Sequence, residues 1–231
     1  MKFVRGTLVF VFFLAPQGSA QTIKTAYPSM APLEQYLIAD RNAEIALARS
    51  AAPDSVSRDA EVLVFTRHGY EAAVKGTNGF VCMVARSWSA GFDDPEFWNP
   101  KVGAPNCYNE LAARSQVPAT IKRTQIVLAG GSRTQVFNGI KAAYASGELP
   151  VPELGSMSYM LSADTYFGNP DGHWRPHVMF FAPATTRPKS WGAGLPNSPI
   201  MGIELPGEQQ TVFLIPVGKW SNGTLAPPEK H

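Results

Sequence analysis

Between Glu61 and Ala85 the chain carries three short apolar runs, residues 61–66, 70–75 and 80–85, separated only by Arg67-His68-Gly69 and Gly76-Thr77-Asn78-Gly79. Parallel neighbours need a crossover of a dozen or more residues, so gaps this short send each run back along the one before it. Glycine and the Asn78-Gly79 pair supply the positive φ that tight turns demand. The spacing predicts an antiparallel meander of three strands, and the remainder of the chain must pack around it.

On the N-terminal side, Leu33, Tyr36, Leu37, Ile45 and Leu47 recur at helical intervals, with Ser29 able to cap and Pro32 tolerated in a first turn. This predicts one long amphipathic helix reaching about Arg49. Residues 88–107 are rich in Pro, Gly, Asp and Trp and are expected to form a long loop. Residues 109–128 look helical with a break near Pro118, and Ser132 can cap a further helix with Val136, Ile140, Ala143 and Tyr144 on one face. Four more strand-like runs follow, at 157–161, 177–181, 200–204 and 211–215. The order implies an α+β fold, with a single antiparallel sheet of about five to seven strands covered by helices. The order of elements is similar to PAS-like and profilin-like domains, a likeness that carries no function with it.

Residues 1–20 have the parts of a secretory signal: Lys2 and Arg5, an apolar stretch too short to anchor in a bilayer, and small residues at 18–20. Cleavage is expected after Ala20, leaving residues 21–231 as one α+β domain whose N-terminal segment and helix span 21–56. The product should be periplasmic or secreted, with no later membrane span. Removing Lys2 and Arg5 from the 20 basic residues leaves 18 against 18 acidic ones, and no basic cluster stands out to neutralise phosphates. A nucleic-acid partner is therefore not expected.

Only two cysteines exist, Cys82 and Cys107. In an oxidising compartment they most simply form one disulfide. The rival is a thiolate metal site shared with histidines, although zinc sites usually bring their cysteines in closer pairs.

Familiar catalytic motifs are missing: there is no G-x-S-x-G, H-E-x-x-H, P-loop, G-x-G-x-x-G or S-x-x-K. His173 and His177 lie four apart, as a helical chelate requires, but Pro176 between them disfavours a helix. The expected arrangement is a loop carrying His173 and a strand starting at His177. A zinc or iron site built from His68, His173 and His177, with Asp171, Asp93 or Asp94 as further oxygen donors, is the enzymatic alternative. Otherwise no cofactor is expected. The segment 92–98 offers Trp98 as an apolar wall and Asp93 and Asp94 as polar contacts.

Gly76-Thr77-Asn78-Gly79-Phe80-Val81-Cys82-Met83, then Cys107, Tyr159-Met160 and Pro176-His177-Val178-Met179 with Pro183, resembles a family of secreted bacterial proteins. That family combines a Gly-Thr-Asn-Gly-aromatic-x-Cys turn with a Pro-His-x-Met strand, and no activity comes with it. The likeness spans residues 58–183 and implies a bacterial exported domain; His177 lies inside the pattern and His173 outside it.

The function expected is noncatalytic binding of a small ligand or an envelope partner, at a cleft made by the 88–107 loop with the loop of His173 and His177. The contacts expected there are His177, His173, His68, Trp98, Asp93 and Asp94. Two alternatives stand beside it: the metal enzyme, and a structural envelope protein recognisable by a large exposed apolar patch.

Overall fold

The computed structural model describes residues 27–167 and 175–227. The signal segment, Asp171 and His173 lie outside the described residues.

The three apolar runs form β1 (Glu61–Thr66), β2 (Gly69–Val74) and β3 (Val81–Ala85), but they are not a meander. β2 returns antiparallel to β1, whereas β3 lies on the other side of β1 and parallel to it. Residues 75–80 pass across the start of β1 and do not form a second hairpin. They are held there by bonds from the Thr77 amide to the Asp59 carbonyl (2.8 Å), from the Glu61 amide to the Phe80 carbonyl (2.9 Å) and from Asn78 Nδ2 to the Val56 carbonyl (2.7 Å). The crossing is so tight that a Cβ on Gly76 would sit 2.1 Å from the Glu61 nitrogen. The Gly76–Gly79 segment is thus a backbone crossing, and its first glycine is there because no side chain fits.

The sheet has eight strands in the order β2-β1-β3-β4-β5-β6-β8-β7, one pair of them parallel, so the expected five to seven antiparallel strands are too few and slightly too uniform. β4 (Ala104–Tyr108) was concealed in the expected 88–107 loop, because Pro105 and Asn106 argue against a strand. It pairs with β3 and β5, and its five residues are all buried. Beyond it run β5 (Ser156–Met160), β6 (His177–Pro183), β7 (Met201–Leu205) and β8 (Gln210–Pro216). β7 forms one edge, where Met201 and Ile203 are exposed.

Helices lie on both faces, a consequence of strand alternation. Val62 and Val64 of β1 join Cys82, Val84 and Cys107 under Ala48 of α1 (Arg41–Arg49). Leu63 faces the other way with Met83, Tyr108, Phe181 and Leu214, against Ala112 of α3 (Glu110–Leu128). A short α2 (Asp54–Ser57) precedes β1, and α4 (Arg133–Ala145) packs beside α3.

Two helix expectations are corrected. The single helix to Arg49 is a 3-10 turn at Leu33–Tyr36 followed by α1, because Leu37 is extended and Asp40 caps a new start, its carboxylate accepting from the Asn42 amide at 2.8 Å. Conversely, α3 runs unbroken through Pro118. Proline there forfeits only the bond to the carbonyl of Arg114, an exposed residue where water can serve instead.

Cys82 and Cys107 are bonded, and they face each other across the β3–β4 pair. The bond closes a loop of sequence separation 25, which on the chain-entropy account stabilises the fold by about 3.5 kcal/mol. Replacing both with alanine should lower the urea-unfolding free energy by about that amount. Thiol labelling of unreduced protein in denaturant should find no free sulfhydryl.

Candidate ligand-binding cavity

The turn from α3 to α4 builds one wall. A Cβ on Gly131 would lie 2.5 Å from Ile126 Cγ2 and 2.7 Å from the Ile126 carbonyl oxygen, so only glycine lets α4 begin this close to α3. Ser132 then starts α4 with a capping box: its hydroxyl accepts from the Gln135 amide at 3.3 Å, and Gln135 Oε1 accepts from the Ser132 amide at 2.8 Å.

The opposite wall comes from the aromatic loop after β3, which is anchored by its own side chains. Trp88 is fully buried and donates from Nε1 to Thr124 Oγ1 of α3 at 3.0 Å. Phe97 meets Trp98 edge to face with ring centroids 4.7 Å apart, and Phe92 meets Phe137 of α4 at 4.9 Å. Beneath the loop, Arg123 of α3 donates to the carbonyls of Trp88 and Ala90, lies 4.2 Å from the Phe92 ring and pairs with Glu208. The N-terminal segment closes the third side: the Tyr36 hydroxyl donates to the Trp98 carbonyl at 2.7 Å and accepts from the Ala31 amide at 3.1 Å.

These pieces border a half-open cavity of about 430 Å³, lined by Met30, Trp98, Val127, Ser132, Arg133 and Thr134 among others. That volume is within the range of small-molecule sites. Arg133 gives it a charge. Its guanidinium lies 4.9 Å from the Phe97 ring and donates to the Phe92 carbonyl at 3.3 Å, and no carboxylate pairs with it among the described residues. The first turn of α4 holds no acidic residue either, so helix dipole and guanidinium add at the mouth.

Of the residues expected at a site, Trp98 lines this cavity. Asp93 and Asp94 belong to the same loop but not to its lining; Asp94 accepts from the Glu96 amide at 2.8 Å and so shapes the turn. His68 is exposed at the β1–β2 turn. His177 is buried at the start of β6, its Nδ1 bonded to the Arg175 carbonyl oxygen at 2.8 Å. Four strand spacings separate β1 from β6, roughly 19 Å, so the sheet does not bring these two histidines together. Among the described residues no group of three His, Cys, Asp or Glu is placed to hold a metal ion. The remaining wall residues, Arg133 above all, carried no motif. The one sequence signal beside them was Ser132 with Gln135 three positions on, which marks a helix start and nothing more.

Burial pushes the His177 pKa below its ordinary value of 6.5, against the raising effect of the Arg175 carbonyl bond. The unfolded chain therefore takes up a proton near pH 6.5 that the folded protein still refuses. Stability should fall as pH drops below about 6.5 and level off once the folded imidazole also protonates. Urea midpoints measured across this range should show that slope, and His177→Gln should flatten it.

Compared with known proteins, the chain matches no family model, no curated protein and no solved structure.

Proposed function

We propose that the chain is an exported, noncatalytic domain that binds a small anionic molecule with an apolar part in the cavity between Trp98 and Arg133. The observation that carries this reading is the Arg133 guanidinium, which no carboxylate pairs with among the described residues and which a ring and a carbonyl hold at a 430 Å³ space with Trp98, Met30 and Val127 in its walls. Apolar walls with a few placed polar groups are what small-ligand sites use. Binding is favoured over turnover because no His, Cys, Asp or Glu is among the described residues that line the cavity. Export is supported by the buried Cys82–Cys107 bond, since such bonds persist in oxidising compartments. No helix among the described residues is long and apolar enough to cross a membrane. The resemblance to secreted bacterial proteins belongs to the same reading.

Calorimetry with phenylacetate and its neutral amide tests it. Phenylacetate should bind at least about tenfold more tightly than phenylacetamide, and Arg133→Gln should erase the difference without shifting the melting temperature. Equal affinity for acid and amide in the unmodified protein would refute the anionic assignment.

A further inference from the structure

We propose that β7 is the contact of a homodimer: its free edge pairs antiparallel with the same edge of a second copy of this chain, about a twofold axis at Ile203. The sheet ends at β7, and among the described residues no strand pairs with its outer side. Its first four residues are exposed, Met201 at 44% and Ile203 at 46%.

The two ends of the sheet are built differently. At the other end β2 is protected: a bulge interrupts its pairing with β1, the Arg41 side chain donates to the Ala72 carbonyl at 3.4 Å, and the charges of Glu71 and Lys75 stand exposed. Such features keep an edge from recruiting another strand. β7 has none of them. Its register with β8 is regular over all five residues, which include no proline, lysine or arginine. Its one charge, Glu204, is engaged by Arg187 at 3.3 Å.

The strand carries its own complement. Met201 and Ile203 stand opposite Leu214 and Val212, which belong to the apolar layer under α3, so Met201, Ile203 and Leu205 face that side. Gly202 and Glu204 face the other, where a Cβ on Gly202 would lie 2.8 Å from Pro188 Cβ and 3.0 Å from Ala193 Cβ. A twofold axis normal to the sheet preserves the faces, so one residue must oppose itself at the centre. With Ile203 there, Met201 meets Leu205 and Glu204 meets Gly202, and no carboxylate faces a like charge. Centring on Glu204 would oppose the two carboxylates, and centring on Gly202 would set Leu205 against Pro199, which has no N–H for a ladder. The Ile203 centre uses all of β7 and extends the apolar layer from one copy into the next. With 20 basic and 18 acidic residues, the chain has little net charge to hold copies apart.

Sedimentation velocity of the full chain from about 5 to about 200 µM should show monomer giving way to dimer, because so short an interface is weak. Ile203→Lys, at an exposed position, should raise the dissociation constant at least about tenfold without changing the melting temperature of dilute protein. Ile203→Cys should crosslink to itself under mild oxidation, since opposed residues bring their Cβ atoms near disulfide reach. Met201→Cys alone should not, its two copies lying about 13 Å apart along the pair, yet it should crosslink when mixed with Leu205→Cys. A monomer at every concentration, a dimer that Ile203→Lys leaves intact, or Met201→Cys crosslinking as readily as Ile203→Cys would each overturn the proposal.

Discussion

Alanine in place of Gly76 should cost the protein about 3 kcal/mol or more of stability, a large share of the roughly 5 to 15 kcal/mol that holds a folded domain together. The added methyl would lie 2.1 Å from the Glu61 nitrogen and 2.8 Å from the Ala60 carbonyl carbon, and these are backbone atoms that no rotamer change can move aside. Relief requires the 75–80 segment to lift away from the start of β1. Lifting breaks the Thr77–Asp59 and Glu61–Phe80 bonds, and with them the alignment of β1 beside β3. Because Cys82 lies in that aligned pair, the disulfide and its neighbours under α1 are disturbed too. Gly91 is the control: an added Cβ there meets nothing within 4 Å, and Gly91→Ala should stay within about 0.5 kcal/mol of the parent. Urea unfolding of the two variants separates a crossing that excludes side chains from a general intolerance of glycine replacement.

Glu44→Ala should be at least as damaging, at about 3 to 5 kcal/mol. The ion pair with Arg86 is buried, both side chains being 2% exposed, so removing the carboxylate strands a guanidinium inside the protein and leaves the Phe65 amide without its acceptor. The loss reflects an uncompensated charge more than the worth of the pair. Replacing Glu44 and Arg86 together with methionine should therefore cost less than Glu44→Ala alone. A double variant less stable than Glu44→Ala would mean that the bonds from Arg86 to the Tyr36 and Val84 carbonyls matter more than the pairing.

The sequence exposed those parts of the fold where local pattern and final environment agree. The strands at 61–66 and 210–216 sit in the sheet interior and read as apolar runs, and Ser132 announced its helix through its own side chain. It was silent where tertiary contacts override local preference. β4 contains Pro105 and Asn106 and is a strand because β3 and β5 hold it on both sides. The parallel placement of β3 depends on where residues 75–80 cross, and turn chemistry suits a hairpin or a crossing equally well. α3 was legible as a helix, but it turns Ser115, Gln116, Thr120, Arg123 and Thr124 inward, so its buried face is largely polar and periodicity does not show which side meets the sheet.

The site shows the same division. Trp98 stood out because tryptophan in a loop is conspicuous, and it does line the cavity. Arg133 did not, because nothing in the order of residues says that an arginine will find a ring and a carbonyl but no carboxylate. Histidine spacing drew notice to His68 and His177, which the sheet holds four strands apart.

The most direct test of the anionic-ligand reading is the indole signal of Trp98, assigned by its loss in Trp98→Phe and followed by ¹H–¹⁵N NMR as phenylacetate is added. The account predicts a saturable shift of that signal together with the amides of Ser132, Arg133 and Thr134, lost in Arg133→Gln. Saturable binding that leaves the Trp98 indole and those amides in place would contradict it.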